Sequence, residues 1–158
     1  MILIDGNNLL WSVQKTDEEF SAVSDVRLCH ILGRYLRLIK EKGEIIFDGV
    51  GPQDKGSFDN IVGLEVFFAG LGVDADSVIE DKIKASTAPR KLTVVSSDRR
   101  VRKAARKRRA VSVRSEAFWS GLLRSLNRGE KHREPTAKRT GLTEGETQQW
   151  LSFFGIEQ

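Results

Sequence analysis

Short apolar runs alternate along the chain with longer stretches in which apolar residues recur every three or four positions. Each run is a few residues long and ends at a polar or glycine-bearing turn, which is typical of a buried β-strand. A polar loop with several glycines follows the second run up to about Asn60. The runs predict five strands, over residues 1–4, 44–47, 63–69, 92–95 and 110–113.

The periodic stretches between the runs predict amphipathic helices. One helix begins at Ser24 and is closed by Gly43, and three more cover residues 74–85, 99–109 and 115–126. Strands that alternate with helices in this way are typical of a parallel sheet covered on both faces. We therefore predict an α/β protein, with a three-layer α/β/α architecture and a central, mostly parallel sheet of about five strands.

The chain divides into one domain and a C-terminal extension. Residues 1–127 form the predicted domain, residues 128–142 a polar connection, and residues 143–158 a final helix. Thr143 and Glu146 match a capping box at the start of that helix. Because its apolar face is rich in Trp and Phe, we expect the helix to dock on the domain or on a partner.

The composition is that of a compact protein in water, with 158 residues of which 39% are apolar and 30% charged. The single cysteine, Cys29, cannot form an internal disulfide, which excludes a disulfide-stapled scaffold and favours a reducing compartment. No apolar run approaches the roughly 20 residues of a membrane span, and strand-like residues from Ile2 leave no room for a signal peptide. We therefore predict a cytoplasmic protein without membrane contact.

The net charge of +4 conceals an uneven distribution. Residues 99–109 carry eight basic residues and no acid, while the other 18 basic and 22 acidic residues give the rest of the chain a charge of −4. On a helix, eight cations cannot all point one way, and Val101, Ala104 and Ala105 form only a narrow apolar stripe. The helix could be solubilising, or it could contact the phosphates of a nucleic acid.

Acidic residues follow four of the five predicted strands. In chain order these acids are Asp5, Asp48, Asp74 with Asp76, and Asp98. Because the carboxyl ends of parallel strands share one edge of the sheet, we expect these side chains to converge in one cleft. Carboxylates that lie close together repel one another unless a cation lies among them, and a set of oxygen ligands suits Mg²⁺ or Mn²⁺.

Each acid also has a structural interpretation. Asp5, Asp76 and Asp98 could be helix N-caps, and Asp48 with Gly49 could form an ordinary turn. Caps alone have no reason to follow several strands at one edge of a sheet, beside the start of a basic helix. Their shared position therefore favours a functional site.

Five short motifs together resemble those of NYN domains, a branch of the PIN-like nucleases. In chain order they are ILIDGNN at residues 2–8, FDG at 47–49, DADSVIE at 74–80, VVSSD at 94–98 and QWLSFFG at 149–155. The ordered set is most similar to the YacP-like group and spans nearly the whole chain, which implies a PIN-like fold. Asn7 departs from the pattern, because relatives usually carry an aromatic or apolar residue there.

The resemblance also implies roles for individual residues. It implies that Asp5, Asp76 and Asp98 bind metal and that Asn8 braces the site. Asp48 would bind metal directly or through water, and Ser97 would orient Asp98 or a metal-bound water. Three further acids stay open. Glu80 lies one helical turn after Asp76 and could support the site, Asp81 could equally be a surface charge, and Asp74 is undecided.

The chemistry that follows is phosphodiester hydrolysis. Two divalent ions about 4 Å apart can activate a water for in-line attack and stabilise the leaving 3′ oxygen, so no Ser or Cys nucleophile is needed. RNA is the expected substrate, and the basic residues expected to hold it are Arg99, Arg100, Arg102, Lys103 and Arg106. We predict an Mg²⁺- or Mn²⁺-dependent endoribonuclease of RNA processing or decay, and the resemblance allows a link to the ribosome.

Two other functions use similar features. A catalytically inactive RNA-binding adaptor would keep the fold and bind RNA without metal-dependent turnover, but the intact acids argue against it. A phosphoryl-transfer regulator of the receiver type would need an acidic pair after the first strand and an Asp after the third. Asp5 stands alone, and Ala69 and Gly70 end the third strand.

The aromatic and histidine residues give weaker signals. Trp11 could stack on a base or pack into the core, and packing is favoured. Trp119 and Trp150 fall on apolar helix faces and are expected in the core. His30 lies within a helix and His132 in the polar connection, so neither is placed as a general base.

Overall fold

A computed structural model of the chain describes residues 1–133, with side chains up to residue 129. Within this range the strands are β1 Ile2–Asp5, β2 Gly43–Phe47, β3 Leu64–Phe68, β4 Thr93–Val95 and β5 Val111–Val113. The α-helices are α1 Gly6–Thr16, α2 Asp25–Ile39, α3 Gly56–Asp59, α4 Ala75–Ala85, α5 Arg99–Lys107 and α6 Ser115–Arg133. Short 3-10 helices cover Glu18–Phe20 and Pro89–Lys91.

The five strands form one parallel sheet in the order β3-β2-β1-β4-β5. β1 is central, and Ile2 lies opposite both Gly43 of β2 and Thr93 of β4. The chain builds outward from β1 to β3 and then returns to the other side of β1, so the strand order reverses between β1 and β4. Such a reversal leaves a crevice at the carboxyl ends of the strands. The predicted α/β class and five-stranded sheet are confirmed, and the sheet is parallel throughout.

Helices cover both faces of the sheet and form two apolar cores. Ile2 and Ile4 of β1 belong to the larger core, which includes residues of α1, α2 and α6. Leu3 belongs to the smaller core, which includes residues of α4 and α5. Because successive residues of a strand point to opposite faces, Asp5 lies on the same side as Leu3, toward α4 and α5.

α1 is the main element that the apolar pattern does not predict. The pattern suggests a polar turn after the first strand, whereas the chain enters a helix at Gly6, directly after β1. Leu9 and Val13, one turn apart, are the large apolar residues of α1 that are completely buried. Two positions are too few to stand out as a periodic run. The helix brings Asn7 and Asn8 into its first turn, at the carboxyl edge of the sheet.

α2 begins where the sequence predicts and ends earlier. Ser24 is the N-cap, and its Oγ accepts a hydrogen bond from the Arg27 N–H at 3.2 Å. The helix ends at Ile39, because Lys40 adopts a left-handed conformation with a φ of 56°. Gly43, predicted to close the helix, is instead the first residue of β2.

α6 continues to Arg133 instead of ending near residue 126. It passes so close to α2 that a Cβ at Gly129 would lie 2.9 Å from a methyl group of Leu38. The first residues of the predicted polar connection are therefore helical, while the rest of it and the predicted final helix, residues 134–158, lie outside the described residues. None of the helices within residues 1–133 is long and apolar enough to cross a membrane.

Gly6 determines how closely α1 packs against β2. A Cβ at this position would lie 2.6 Å from the Phe47 ring and 2.8 Å from the Ile46 carbonyl oxygen. We expect Gly6→Ala to lower the free energy of unfolding by about 1–3 kcal/mol, because backbone must move to admit the methyl group. Urea unfolding followed by circular dichroism measures the change.

Gly121→Ala in α6 is the matched control. The nearest atom to a Cβ there is 4.0 Å away, on the flexible Arg124 side chain. Alanine favours the helix more than glycine does, so this variant should be about 0.5–1 kcal/mol more stable than the wild type. Equal effects of the two substitutions would contradict the close packing at Gly6.

Candidate functional site

The acids that follow the strands meet in one open cleft of about 490 Å³ at the carboxyl edge of the sheet. The cleft is lined by residues of α1, by acids from the strand ends and by the starts of α4 and α5, namely Asp5, Asn7, Asn8, Leu10, Trp11, Gln14, Asp48, Asp76 and Asp98. The structure therefore brings together most of the residues singled out as catalytic. Ser97 is the one that does not line the cleft.

Asp5 is the most deeply buried acid of the cleft, with 4% of its surface exposed. Its Oδ2 accepts a hydrogen bond from Ser96 Oγ at 2.8 Å. Burial raises the pKa of Asp5 to about 6, and the hydrogen bond from Ser96 opposes the shift. The negative charges of Asp76 and Asp98 add to the increase. A cation beside Asp5 would relieve both the loss of hydration and the repulsion.

Ser96 is completely buried and links the ends of β1 and β4. Its Oγ donates to Asp5 and accepts a hydrogen bond from the Asp98 N–H at 3.0 Å. The sequence could have predicted this contact, because side chains along a strand point alternately to the two faces of the sheet. Val94 shares the smaller core with Leu3, and Ser96 and Asp5 each lie two residues farther on, so they point to the same face.

Ser97, which the resemblance implies as the orienting hydroxyl, points toward α6. Its Oγ donates to Glu116 Oε2 at 2.7 Å and accepts from the Ser115 N–H at 3.0 Å. Asn8 Oδ1 accepts from the Ser97 N–H at 2.9 Å and from Ser115 Oγ at 2.7 Å. Asn8 therefore joins α1 to the end of β4 and the start of α6. Sequence reasoning did not single out Ser115 or Glu116, since nothing local distinguishes them from ordinary helix-start residues.

The N-cap interpretation holds for Asp98, holds by position for Asp5 and is wrong for Asp76. Asp98 Oδ1 accepts hydrogen bonds from two backbone N–H groups of the first turn of α5, at 2.9 and 3.2 Å. Asp76 lies inside the first turn of α4, whose N-cap is Asp74. Asp5 is the N-cap residue of α1, although its side chain makes no capping hydrogen bond. Partial burial, and then the charge of Asp98, raises the pKa of Asp76.

Asp48 connects the end of β2 to two helices. Its Oδ1 accepts from the Ala75 N–H at 2.8 Å, at the start of α4. Its own N–H donates to Asn7 Oδ1 at 2.7 Å, at the start of α1. Gly49 has a φ of 82°, so the turn interpretation also holds at this position. The turn and the two hydrogen bonds fix where the Asp48 carboxylate enters the cleft.

α5 presents its basic residues on different sides. Val101 and Ala105 face the smaller core. Arg100 reaches toward α4, where its guanidinium pairs with Glu80 and lies 3.6 Å from Asp74 Oδ1. Arg100 therefore cross-links two helices, and Glu80, which could have supported the acids, is its partner.

Arg102 lies on the opposite side of α5, toward the β5–α6 connection. Partial burial, and then the positive charges of Arg114 and Arg106, lower the pKa of Arg102. Its Nε is buried and has no hydrogen-bond partner among the described residues. Glu116 is the acid near this group and opposes the shift. Three guanidinium groups so close together form a surface that favours a polyanion.

The two tryptophans with described side chains have different surroundings. Trp119 is 3% exposed and packs edge to face on Phe20, with ring centroids 5.0 Å apart, so its predicted core position is confirmed. Trp11 is 58% exposed and lines the cleft, so the favoured prediction that it packs into the core is wrong. Lys15 Nζ lies 5.4 Å from the Trp11 ring centroid. His30 is exposed and is not part of the cleft lining.

The donors of the cleft fit a magnesium-type ion that shares its coordination with water and substrate. Within the described part of the chain, no three Asp, Glu, His or Cys side chains are grouped closely enough to hold a metal ion. Mg²⁺ usually keeps several waters and binds one or two carboxylates together with phosphate oxygens, so it does not need a closed protein cage. The raised pKa values of Asp5 and Asp76 identify the carboxylates that a cation would stabilise most.

Comparison with known proteins gives matches at two levels. The family model described as YacP-like NYN domain matches residues 2–152. The crystal structure of Rae1 (YacP) from Bacillus subtilis superposes with a TM-score of 0.68 and 18% sequence identity, covering 98% of this chain and 92% of that one. A tryptophan-to-leucine mutant of the same protein gives a TM-score of 0.60 and 20% identity, covering 88% and 82%. At these identities the likeness shows a shared fold. Curated protein sequences give no match.

Asp5 should destabilise the metal-free protein at neutral pH. Its folded pKa of about 6 lies above the ordinary value of 3.8, so the folded protein binds this proton more tightly than the unfolded chain does. The free energy of unfolding therefore falls as the pH rises from the ordinary pKa of Asp5 to its folded pKa, and the full loss is reached above the folded pKa. We expect Asp5→Asn, measured in EDTA at about pH 7.5, to raise the free energy of unfolding by up to about 3 kcal/mol.

The same comparison at about pH 4 supplies the internal check, because the carboxyl of Asp5 is then mostly protonated in the folded state and the advantage of the amide should shrink. Asp59→Asn, which changes an exposed acid of α3, should show no such dependence on pH. If Asp5→Asn were no more stable than the wild type at neutral pH, burial would not be the main cause of a raised pKa at Asp5.

Proposed function

The chain belongs to the YacP-like NYN domain family, and from that membership and the geometry of the cleft we propose that it is a metal-dependent endoribonuclease. NYN domains are PIN-like nucleases, so membership supports a nuclease or RNA-related function. The observation that carries the proposal is the buried Asp5, which shares one cleft with Asp76 and Asp98 and whose pKa their charges raise.

The acids hold the metal in this proposal. Asp5, Asp76 and Asp98 bind Mg²⁺ or Mn²⁺, and Asp48 binds it directly or through water. When bound, the ion supplies a water of lowered pKa as the nucleophile and positive charge for the leaving 3′ oxygen of the RNA. Because the attacking group is water, the chain needs no Ser or Cys nucleophile.

The neighbouring polar residues position those acids. Ser96 donates to the Asp5 carboxylate and accepts from the Asp98 backbone, which is the orienting role that the resemblance implied for Ser97. Asn8 braces the site by joining three elements through its amide oxygen. Ser97 supports the same frame from the α6 side. Fixed carboxylates lower the reorganisation needed when the substrate arrives.

The RNA backbone lies, in this proposal, along the side of α5 that faces the β5–α6 connection. Arg100 is committed to α4 and acts by holding the two helices together. Arg108, at the end of α5, also bonds to the end of α4 through the Ser86 carbonyl. The proposed phosphate-binding surface consists of Arg99, Arg102, Lys103, Arg106 and Arg114. Contacts to phosphate give affinity without sequence preference.

The predicted cellular setting follows from the family resemblance and, for the location, from the cysteine content and the short apolar runs of the sequence. Action in RNA processing or decay, a contact with the ribosome and a cytoplasmic location stay predictions. RNA is the substrate that a nuclease-type domain of this family implies.

A second candidate function is an RNA-binding adaptor without catalysis. The observation that favours it is the absence, within residues 1–133, of three ligand-type side chains grouped to hold an ion. The two candidates differ in one measurable respect, since the adaptor binds RNA and turns nothing over when Mn²⁺ or Mg²⁺ is added.

Removal of a single carboxylate should abolish cleavage. We expect Asp5→Asn, Asp76→Asn and Asp98→Asn each to lower the rate of RNA hydrolysis by about 100-fold or more, because each removes charge that would hold the ion. Cleavage of a labelled RNA oligonucleotide in Mn²⁺ or Mg²⁺, with an EDTA blank, measures the rate. Asp59→Asn on α3 is the matched control and should cleave like the wild type.

Full activity in all three variants would rule out the acidic site. Wild-type protein that binds RNA and releases no product in either metal would favour the adaptor. Thermal melting of each variant verifies that the fold is kept, and Asp5→Asn should melt no lower than the wild type in EDTA because it removes a buried charge.

The guanidinium groups of Arg102 and Arg106, on one side of α5, should govern the salt dependence of RNA binding. We expect Arg102→Gln with Arg106→Gln to weaken binding of single-stranded RNA by at least about 10-fold, because charge-assisted hydrogen bonds to phosphate are lost. The slope of log Kd against log salt should become shallower by about 0.7 for each lost contact. Fluorescence anisotropy in EDTA over a salt series measures both quantities.

The matched control removes the same charge elsewhere. Lys84→Gln with Lys91→Gln changes two exposed cations, near the C-terminal end of α4 and shortly before β4, at the edge of the sheet away from the cleft. The affinity and the salt slope should stay close to those of the wild type. Equal losses in the two double variants would mean that net charge, rather than this surface, governs binding.

A further inference from the structure

The exposed indole of Trp11 is the feature of the cleft that the acids and arginines do not explain. It is 58% exposed, although an indole of this size is normally largely covered. It also lines the same cleft as Asp5, Asp76 and Asp98. We propose that Trp11 is a platform on which an unpaired RNA base stacks, so that the substrate must be single-stranded where it enters the cleft. This inference rests on the proposed ribonuclease function.

α1 holds the indole in position by its opposite face. Leu9 and Val13 are completely buried in the larger core and fix the rotation of the helix. Asn7, Trp11 and Gln14 lie at helical spacing on the other side and all line the cleft. Trp11 is four residues beyond Asn7, about 6 Å along the helix axis. The indole therefore lies close to the acids without being among them.

Two neighbours of Trp11 on α1 have defined contacts, and the indole itself stays 58% exposed. Gln14 Nε2 donates to the Val23 carbonyl at 2.9 Å, which ties this part of α1 to the segment before α2. Lys15 Nζ lies over one face of the ring, 5.4 Å from its centroid, and provides a cation there. A flat aromatic face next to a cation is the combination that binds a base together with its phosphate.

Trp119 shows what a structural tryptophan looks like in the same chain. It is 3% exposed, packs on Phe20, and its Nε1 donates to Asp17 Oδ2 at 3.1 Å. The indole of Trp119 is therefore buried and hydrogen-bonded, whereas the indole of Trp11 is open at the cleft. A packing role does not explain that difference.

An unpaired base follows from the chemistry of the surface. The acids of the cleft repel phosphates and not the neutral bases, and Trp11 is the aromatic residue among those that line the cleft, so its ring offers a base a face to stack on. A base within a duplex is already stacked on both sides and has no free face to offer, and the A-form helix hides base edges in a narrow groove. Stacking on Trp11 therefore selects single-stranded RNA and positions the strand near the acids.

Binding to matched single and double strands tests the proposal. The full chain is titrated, in EDTA to prevent cleavage, with an unstructured RNA oligonucleotide and with the same RNA annealed to its complement. We expect Trp11→Ala to weaken binding of the single strand by about 5- to 150-fold, the range for loss of one base–aromatic stack. Duplex affinity and thermal stability should not change, because the side chain is exposed.

Two further variants separate stacking from general effects. Trp11→Phe keeps an aromatic face and should recover most of the lost affinity. Leu71→Ala removes an apolar side chain that is 90% exposed and not part of the cleft lining, and it should bind both RNAs like the wild type. In the cleavage assay, Trp11→Ala should raise KM more than it lowers kcat, because it removes binding shared by ground and transition states.

A spectroscopic readout reports the contact directly. Stacking should quench tryptophan emission when the single strand binds, and the quenching should disappear in Trp11→Phe and persist in Trp119→Phe. Unchanged affinity in Trp11→Ala, or equal losses for single strand and duplex, would overturn the proposal while leaving ribonuclease activity intact. If the wild-type protein cleaved no RNA but single-stranded RNA still quenched its tryptophan emission, the proposed ribonuclease function would be wrong and the stacking site would be kept.

Discussion

The hydrogen bond from Ser96 Oγ to Asp5 Oδ2, 2.8 Å long, joins the ends of two adjacent central strands where the strand order reverses. It holds a carboxylate that the fold has almost removed from water. Burial raises the pKa of Asp5 to about 6, and two further acids in the same cleft add repulsion. The protein therefore keeps a destabilising charge at its centre, which is typical of functional sites. A divalent cation would turn that cost into binding energy.

The rest of the site is a frame around this carboxylate. Asn8 ties the first turn of α1 to the end of β4 and the start of α6, and Asp48 ties the end of β2 to α1 and α4. Each of these polar groups makes contacts with more than one element. Such shared hydrogen bonds restrict the acids to one arrangement while the cleft itself stays open to solvent. Rigid support around an accessible centre is what catalysis on a large substrate requires.

The basic residues of α5 also divide between contacts within the protein and an exposed charged surface. Arg100 stays exposed at the surface and is used there as a cross-link between α5 and α4. Arg102, on the other side of the same helix, lies among like charges with its Nε lacking a partner in the described part of the chain. One basic segment thus serves both the fold and the surface beside the acids. Helical geometry divides these roles, since neighbouring residues differ by about 100° around the axis.

The sequence by itself determined the five strands, most helices, and the meeting of acids at one edge, because apolar periodicity is local and parallel strands share an edge. Ordered motifs also indicated the family correctly. Only the tertiary structure decided that α1 follows β1 directly, that Ser96 rather than Ser97 faces Asp5, and that Trp11 stays exposed. Those outcomes depend on which way a side chain points and on what packs against it. Strand register, helix rotation and contacts between distant segments determine the direction and the packing of each side chain. A local sequence pattern does not contain this information.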